Sequence, residues 1–260
     1  MSRPARPPDW SRCAAPQFRH VAVLFADLDH FTGICTEEPP RRVFALIRDF
    51  QSLVTYAVGQ SAGRLNAFQG DGAMATFGDE AGRSDCASRA LRCGGTILAH
   101  LAALHRACRR PVTISLGLQY GEVMSGVIPG SRRFGVTVIG DAINVANRLE
   151  QRAQGLRTEM VVGDDLVRKA RTESGATASE LARLDHLGPI YVDGRDRPVD
   201  VWTRPLSLSA AAVAPARCFA IDAGREDEDD FGLACLACLK PGRARPRRDG
   251  FLPSRAYGGM

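Results

Sequence analysis

The sequence predicts a mixed α/β domain, and three segments carry that prediction. Val21-Ala22-Val23-Leu24-Phe25-Ala26 is an unbroken apolar run of strand length that stops at Asp27. Between Arg41 and Gly59, apolar residues recur at Val43, Leu46, Ile47, Phe50, Val54 and Val58, the spacing of a helix with one buried face. Gly63 to Phe77 reads as two strands around Gln69-Gly70-Asp71-Gly72, and a Gly-Asp-Gly centre is hairpin chemistry. Strands and helices alternating in this way pack in layers over one core.

The remaining elements continue the alternation. Asp85 to Arg106, rich in Ala and Leu, predicts a second helix, and Val112 to Leu118 a strand. Gly121 to Gly130 is punctuated by glycine and is expected to return through a loop at Ser131-Arg132-Arg133. Val136 to Ile139 is a short β-branched strand. Asp141 to Gln151 is a third helix, with Ala142, Val145, Ala146 and Leu149 on one side. Met160-Val161-Val162 and Pro198 to Trp202 are expected to close the sheet. Residues 1–17 hold four prolines and little apolar pattern, and read as a flexible arm. Residues 18–204 form the domain. Residues 205–260 turn to low complexity, with an acidic block at 225–230 and a basic block at 243–248, and read as a disordered tail.

Composition narrows the function classes. A chain of 260 residues that is 45% hydrophobic can bury a substantial core. The net charge of +5 comes almost entirely from arginine, since Lys169 and Lys240 are the only lysines, and no basic stripe interleaved with aromatics suggests nucleic acid. No apolar run is long enough to cross a bilayer, and no apolar stretch follows the basic N-terminus, so the expectation is a cytoplasmic protein without a membrane partner. Cys13, Cys35, Cys86, Cys93 and Cys108 lack ligand spacing and are expected as buried or free thiols. Cys235 and Cys238 have zinc-like spacing, with Cys218 upstream, but no second pair or nearby His completes a site. None of the five histidines shows the spacing of a site.

Three segments carry the chemistry: Phe25-Ala-Asp-Leu-Asp-His-Phe-Thr32, then Phe68-Gln-Gly-Asp-Gly-Ala-Met-Ala-Thr-Phe-Gly78, then Thr137-Val-Ile-Gly-Asp-Ala-Ile-Asn-Val-Ala-Asn-Arg-Leu-Glu150. Two carboxylates, Asp27 at a strand end and Asp71 in a hairpin turn, can clamp divalent metal ions if the strands lie side by side. Each also suits a plain structural role, Asp27 as a helix cap and Asp71 as a turn residue. Asn144 and Arg148 stand four apart and share one face of a helix.

Taken together and in this order, the three segments resemble the class III adenylate/guanylate cyclase catalytic domain, over about residues 18–204. The resemblance implies an α+β sandwich with a ferredoxin-like βαββαβ core. It also implies conversion of ATP, or GTP, to a 3′,5′-cyclic nucleotide and pyrophosphate. Asp27, Asp71 and the backbone of Leu28 would hold two Mg²⁺ or Mn²⁺ ions per site. Phe31 and Thr32 would turn backbone N–H groups towards the triphosphate, though Phe31 equally suits core packing. Asn144 would orient the ribose, and Arg148 would offset charge on the phosphate in the transition state. In the family these two residues come from the partner subunit, which implies a homodimer with composite sites.

Two positions depart from the family pattern. Ala67 stands where adenylate cyclases carry a base-recognising lysine, and alanine cannot hydrogen-bond a purine. Thr137, at the other base-contacting position, leans towards ATP. Gln69 falls on the same strand face as Ala67 and can both donate and accept, so it is a candidate purine contact. Asp193 stands where the family has a phosphate-contacting lysine and reverses the charge; Arg132, Arg133 or Arg195 is a candidate to supply positive charge instead, though a plain surface role suits each of them better. The intact Asp27, Asp71, Asn144 and Arg148 favour a working cyclase. Ala67 and Asp193 favour the alternative, a weak or inactive nucleotide-binding or regulatory dimer on the same fold.

Overall fold

The computed structural model describes residues 16–78, 84–101, 104, 112–126, 137–173 and 178–205. Its elements run β1(Gln17–Leu28), α1(Phe31–Glu37), α2(Pro40–Gln60), β2(Arg64–Gln69), β3(Gly72–Phe77), α3(Cys86–His100), β4(Ile114–Gly126), β5(Thr137–Ile139), α4(Asp141–Leu156), β6(Thr158–Gly163), α5(Asp164–Thr172), α6(Ala178–Leu181), β7(Asp185–Ile190) and β8(Val199–Pro205).

The strands form one sheet in the order β2-β3-β1-β4-β6-β8-β7, with β5 paired to β4. The first four are the strands of a βαββαβ unit, with β1 central and antiparallel to both β3 and β4. This is the ferredoxin-like order that the sequence implied.

Strand alternation divides the core between the two faces of the sheet. Ala22, Leu24, Ala26 and Leu28 of β1 join Leu46, Phe50 and Val54 of α2, Leu91 and Ile97 of α3, and Leu166 of α5 in the main cluster. Val21 and Val23 point the other way, against Ala142 and Ala146 of α4, with Phe25 packed alongside. Val145, Leu149 and Ala153 of α4 meet Val161 of β6 and Val201 of β8. The apolar run in β1 is continuous because both faces are covered. By the same alternation, Asp27 falls on the α4 face.

The predicted elements are present, with changes at their ends. Strand β1 begins at Gln17, inside the expected arm, and β8 ends at Pro205, inside the expected tail. Residues 1–15 and 206–260 lie outside the described residues, as do the loop at 131–133 and the cysteines beyond Cys35, Cys86 and Cys93. Of these three thiols Cys35 is exposed and the other two are buried, all unpaired. The largest difference lies at Gly121–Gly126, read only as a glycine-punctuated stretch with no element assigned and found as the continuation of β4. Pairing to β1 along its whole length, from Gln17↔Ser125 to Leu28↔Ile114, holds this segment extended despite its glycines. Helices α1, α5 and α6 and strand β7 were not anticipated.

Candidate functional site

Asp27 lies at the C-terminal end of β1, and its register partner on β3 is Gly72. The intervening hairpin turn is Gly70-Asp71, with Gly70 at φ +63°, a conformation in which a side chain would be strained. The Leu28 amide donates to the Asp71 carbonyl oxygen at 3.3 Å, tying the turn to the end of β1. A Cβ on Gly72 would stand 3.1 Å from Asp27 Oδ1, so the small residue leaves the carboxyl its space. The two aspartates are therefore brought together by strand pairing and a two-residue turn, as the sequence led one to expect.

They line a cleft of about 290 Å³ with Phe25, Gln69, Met74, Asn147, Glu150, Gln151 and Gln154 among its walls. Loss of solvent around Asp27 raises its pKa to about 6; the neighbouring Asp71 and then Asp29 add to the rise, against a hydrogen bond from the Leu28 amide. Asp29, two residues on, is engaged otherwise: Ser115 Oγ donates to its Oδ1 at 2.6 Å. A pair of adjacent carboxylates, one of them held partly neutral, is the donor set of a hard divalent cation, whose charge would offset both the repulsion and the lost hydration. Among the described residues, no three acidic, His or Cys groups are gathered closely enough to hold one ion.

Gln69 lines this cleft and Ala67 does not; Ala67 pairs with Met74 two residues further along the hairpin, just before a register shift. Asn144 and Arg148 do not line it either. Asn144 is exposed and Arg148 half-buried, with Arg148 Nη1 donating to Gln151 Oε1 at 3.0 Å. Thr137 begins β5, register-paired with Gly126 at the far end of β4, and is also absent from the cleft. Phe31 and Thr32 open α1 behind His30, whose φ of 56° makes the sharp turn from the strand. Phe31 packs against the main core, and Thr32 is exposed. Leu28 has its side chain buried in the main core, leaving only its backbone to the site.

Helix α4 lines the cleft of the same chain with Asn147, Glu150, Gln151 and Gln154; Asn144 and Arg148 are not among the lining residues, and Arg148 reaches only as far as Gln151. Glu150 is buried, at 5% exposure. Burial, and then the charges of Asp27, Asp29 and Asp71, raise its pKa to about 8. The sequence reading missed Glu150 as a site residue, although it closes the third quoted segment; nothing in the pattern marks which glutamate of a helix is driven under a sheet.

The Asp193 carboxylate has a partner. Arg152, one turn beyond Arg148 on α4, lies 3.8 Å from the Asp193 carboxylate and donates to the Tyr191 carbonyl oxygen at 3.1 Å. Arg195, a candidate source of positive charge in the sequence, is paired with Asp141 at the start of α4. The loop after β7 is thus pinned to α4 at both ends of the segment that carries Asn144 and Arg148. A second cleft, of about 450 Å³ between β4, β5 and the start of α4, is lined by Arg195 and by Ile139 to Ala142 of the third segment, and by none of the residues named for metal or nucleotide.

These features define a nucleotide cyclase domain. Residues 13–203 match the model of the adenylate and guanylate cyclase catalytic domain, and the chain belongs to that family. An uncharacterised protein of Mycobacterium tuberculosis is 30% identical over 181 residues, covering 70% of this chain and 30% of that protein. An adenylate cyclase of Anabaena cylindrica is 24% identical over 204 residues, covering 72% of this chain and 37% of that protein. The chain thus spans about a third of the curated relatives it matches. Among solved structures, the adenylyl cyclase CyaB from P. aeruginosa superposes with a TM-score of 0.64 at 22% identity, covering 75% of this chain and 97% of that one. The guanylyl cyclase Cya2 superposes at 0.62 and 22% identity, covering 73% of this chain and 93% of that one. Both share the fold. No helix among the described residues is long and apolar enough to cross a membrane.

Proposed function

We propose that this domain converts a purine nucleoside triphosphate, ATP in preference to GTP, to its 3′,5′-cyclic form and pyrophosphate, at composite sites of a homodimer. The observation that carries the reading is the division of the site residues. Asp27 and Asp71 share one cleft, while Asn144 and Arg148 are not among the residues that line it. A second copy whose α4 faces the cleft completes the set; a monomer holds only the carboxylate half.

In the reaction the ribose 3′-oxygen attacks the α-phosphorus, the bond to the β-phosphate bridging oxygen breaks, and pyrophosphate leaves. Asp27 and Asp71, with the Leu28 backbone, are the groups that would hold two Mg²⁺ or Mn²⁺ ions, which when bound stabilise attacking and leaving oxygens together. Asn144 from the partner orients the ribose by its amide. Arg148 from the partner sets a guanidinium against charge gathering on the phosphate, a contribution realised most fully in the transition state. The amides that open α1 at Phe31 and Thr32 face the phosphate chain. Gln69 and the partner's Thr137 read the purine, with Ala67 leaving room where a longer side chain would otherwise enter.

A second reading keeps the fold and the dimer but not the turnover: a nucleotide-binding or regulatory module. Its support is Ala67 and the carboxylate of Asp193, which lies in an exposed loop beside Arg152. Cyclic nucleotide production by the purified chain separates the two. ATP and GTP are each supplied with Mg²⁺ or Mn²⁺, with Asp71→Ala as control. Product that vanishes in the control establishes the cyclase, and the better substrate shows which purine is preferred. Nucleotide binding by a folded dimer without product establishes the second reading.

A further inference from the structure

We propose that Glu150 is a third carboxylate of the cation site, acting on the water shell of an ion held by Asp27 and Asp71. The proposal rests on the reading of those two aspartates as cation-binding.

The argument begins with the packing of α4 on β4. A Cβ on Gly117 would collide with the Ala146 carbonyl oxygen and the backbone of Glu150, so helix and strand are in contact main chain to main chain. That contact drives the next side chain of the helix under its own axis, into the wall of the aspartate cleft. Position 150 belongs to the buried stripe of α4 that otherwise holds Ala142, Val145, Ala146, Leu149 and Ala153. Helical periodicity alone would put an aliphatic residue there.

A glutamate in that stripe is costly. It is buried, and no donor among the described residues hydrogen-bonds or ion-pairs with its carboxyl group. Its carboxyl oxygens are not among the unpartnered atoms sealed from solvent, so they open onto the cleft that Glu150 lines. Ser115 relieves Asp29 by donating to it, and Arg152 relieves Asp193; no group does the same for Glu150. The charges that act on it are Asp27, Asp29 and Asp71, all of its own sign. A group of that kind stays in place when something bound in the cleft supplies the missing positive charge or the missing donors, and a hydrated dication supplies both.

The role follows from the spacing. The three carboxylates are not close enough to grip one ion together. Mg²⁺ retains several of its waters when bound by one or two carboxylates, and a carboxylate standing off the metal accepts hydrogen bonds from those waters and fixes their orientation. Asn147, Gln151 and Gln154 line the same wall but are neutral and more exposed. Glu150 alone brings charge from α4 to this cleft. It is a positioning residue, with no contact to the reacting atoms assigned to it.

The test reads ion binding, without turnover. Mn²⁺ affinity is measured by electron paramagnetic resonance on the full chain, free of nucleotide, for wild type, Asp71→Asn and Glu150→Gln. The expected result is loss of binding in Asp71→Asn and a fall of about tenfold or more in Glu150→Gln, with a thermal midpoint for Glu150→Gln no lower than wild type. Wild-type affinity in Glu150→Gln beside lost binding in Asp71→Asn overturns the role of Glu150 and leaves the aspartate site standing. Wild-type affinity in Asp71→Asn overturns the cation reading itself. If Glu150→Gln does not fold, Glu150→Asp carries the test: the shorter side chain must lower the affinity or change the water-proton relaxation of bound Mn²⁺, and unchanged values for both overturn the proposal.

Discussion

Gly117 of β4 lies directly against the backbone of Glu150 on α4, with no room between them for one more carbon atom. This contact sets the height of α4 over the sheet, and with it the positions of Glu150, Asn144 and Arg148. Gly117→Ala is therefore expected to lift the helix, destabilise the domain by about 1–3 kcal/mol and reduce cyclase activity by more than the stability loss explains. Thermal unfolding and initial rates below the melting range check this; an alanine variant as stable and active as wild type would show that the contact has no such role.

Stability should depend on pH in the direction opposite to ordinary acid denaturation. In the folded protein Asp27 ionises near 6 against an ordinary 3.8, and Glu150 near 8 against 4.5. Both shifts favour the neutral acid in the native state. The stability these groups contribute is complete below a pH of about 4 and is lost as the pH rises through 6 for Asp27 and 8 for Glu150, on the order of a few kcal/mol in total. Without divalent ions, the melting temperature is expected to fall between pH 5 and about 8.5, and Glu150→Gln to flatten the upper part of that fall. Added Mn²⁺ should restore the loss. Parallel curves for wild type and Glu150→Gln would contradict the assignment.

The composite site makes a complementation prediction. Asp71→Ala and Arg148→Ala chains should each be inactive alone and folded. Mixed, they should recover activity towards about a quarter of wild type, since half of randomly formed dimers carry one intact site of two. A mixture as inactive as its components would place Arg148 and Asp71 in the same chain's chemistry, or outside it.

Asp193 and Ala67 give two substitutions of opposite kind. Asp193→Lys exchanges a carboxylate for a cation beside the loop that Arg152 pins, and is expected to lower KM for the triphosphate roughly threefold to tenfold with little change in kcat. Gln69→Ala is expected to alter the ratio of ATP to GTP turnover without affecting Mn²⁺ binding, as is Ala67→Lys in favour of ATP. Parallel kinetics for both nucleotides in Gln69→Ala would remove Gln69 from purine recognition.

Much of the architecture could be read directly from local pattern. The hairpin that carries Asp71 follows from Gly70 and Gly72 around it, and β1 from an apolar run that both faces of a sheet can bury. The extension of β4 through Gly121 to Gly126 was not legible. Glycine is a poor strand former by itself, and only the pairing with β1, formed by residues about a hundred positions earlier, keeps that segment extended.

The sequence by itself placed the candidate residues: Asp27 at a strand end, Asp71 in a tight turn, and Asn144 and Arg148 one helical turn apart. Those placements depend on periodicities and turn preferences spanning a few residues, which any chain expresses locally. Only the tertiary structure decided that Glu150 is driven into the aspartate cleft, that Arg152 holds Asp193, and that Arg195 is taken up by Asp141. Each depends on which face of α4 meets the sheet and how closely, and that was set by a glycine more than thirty residues away on another strand.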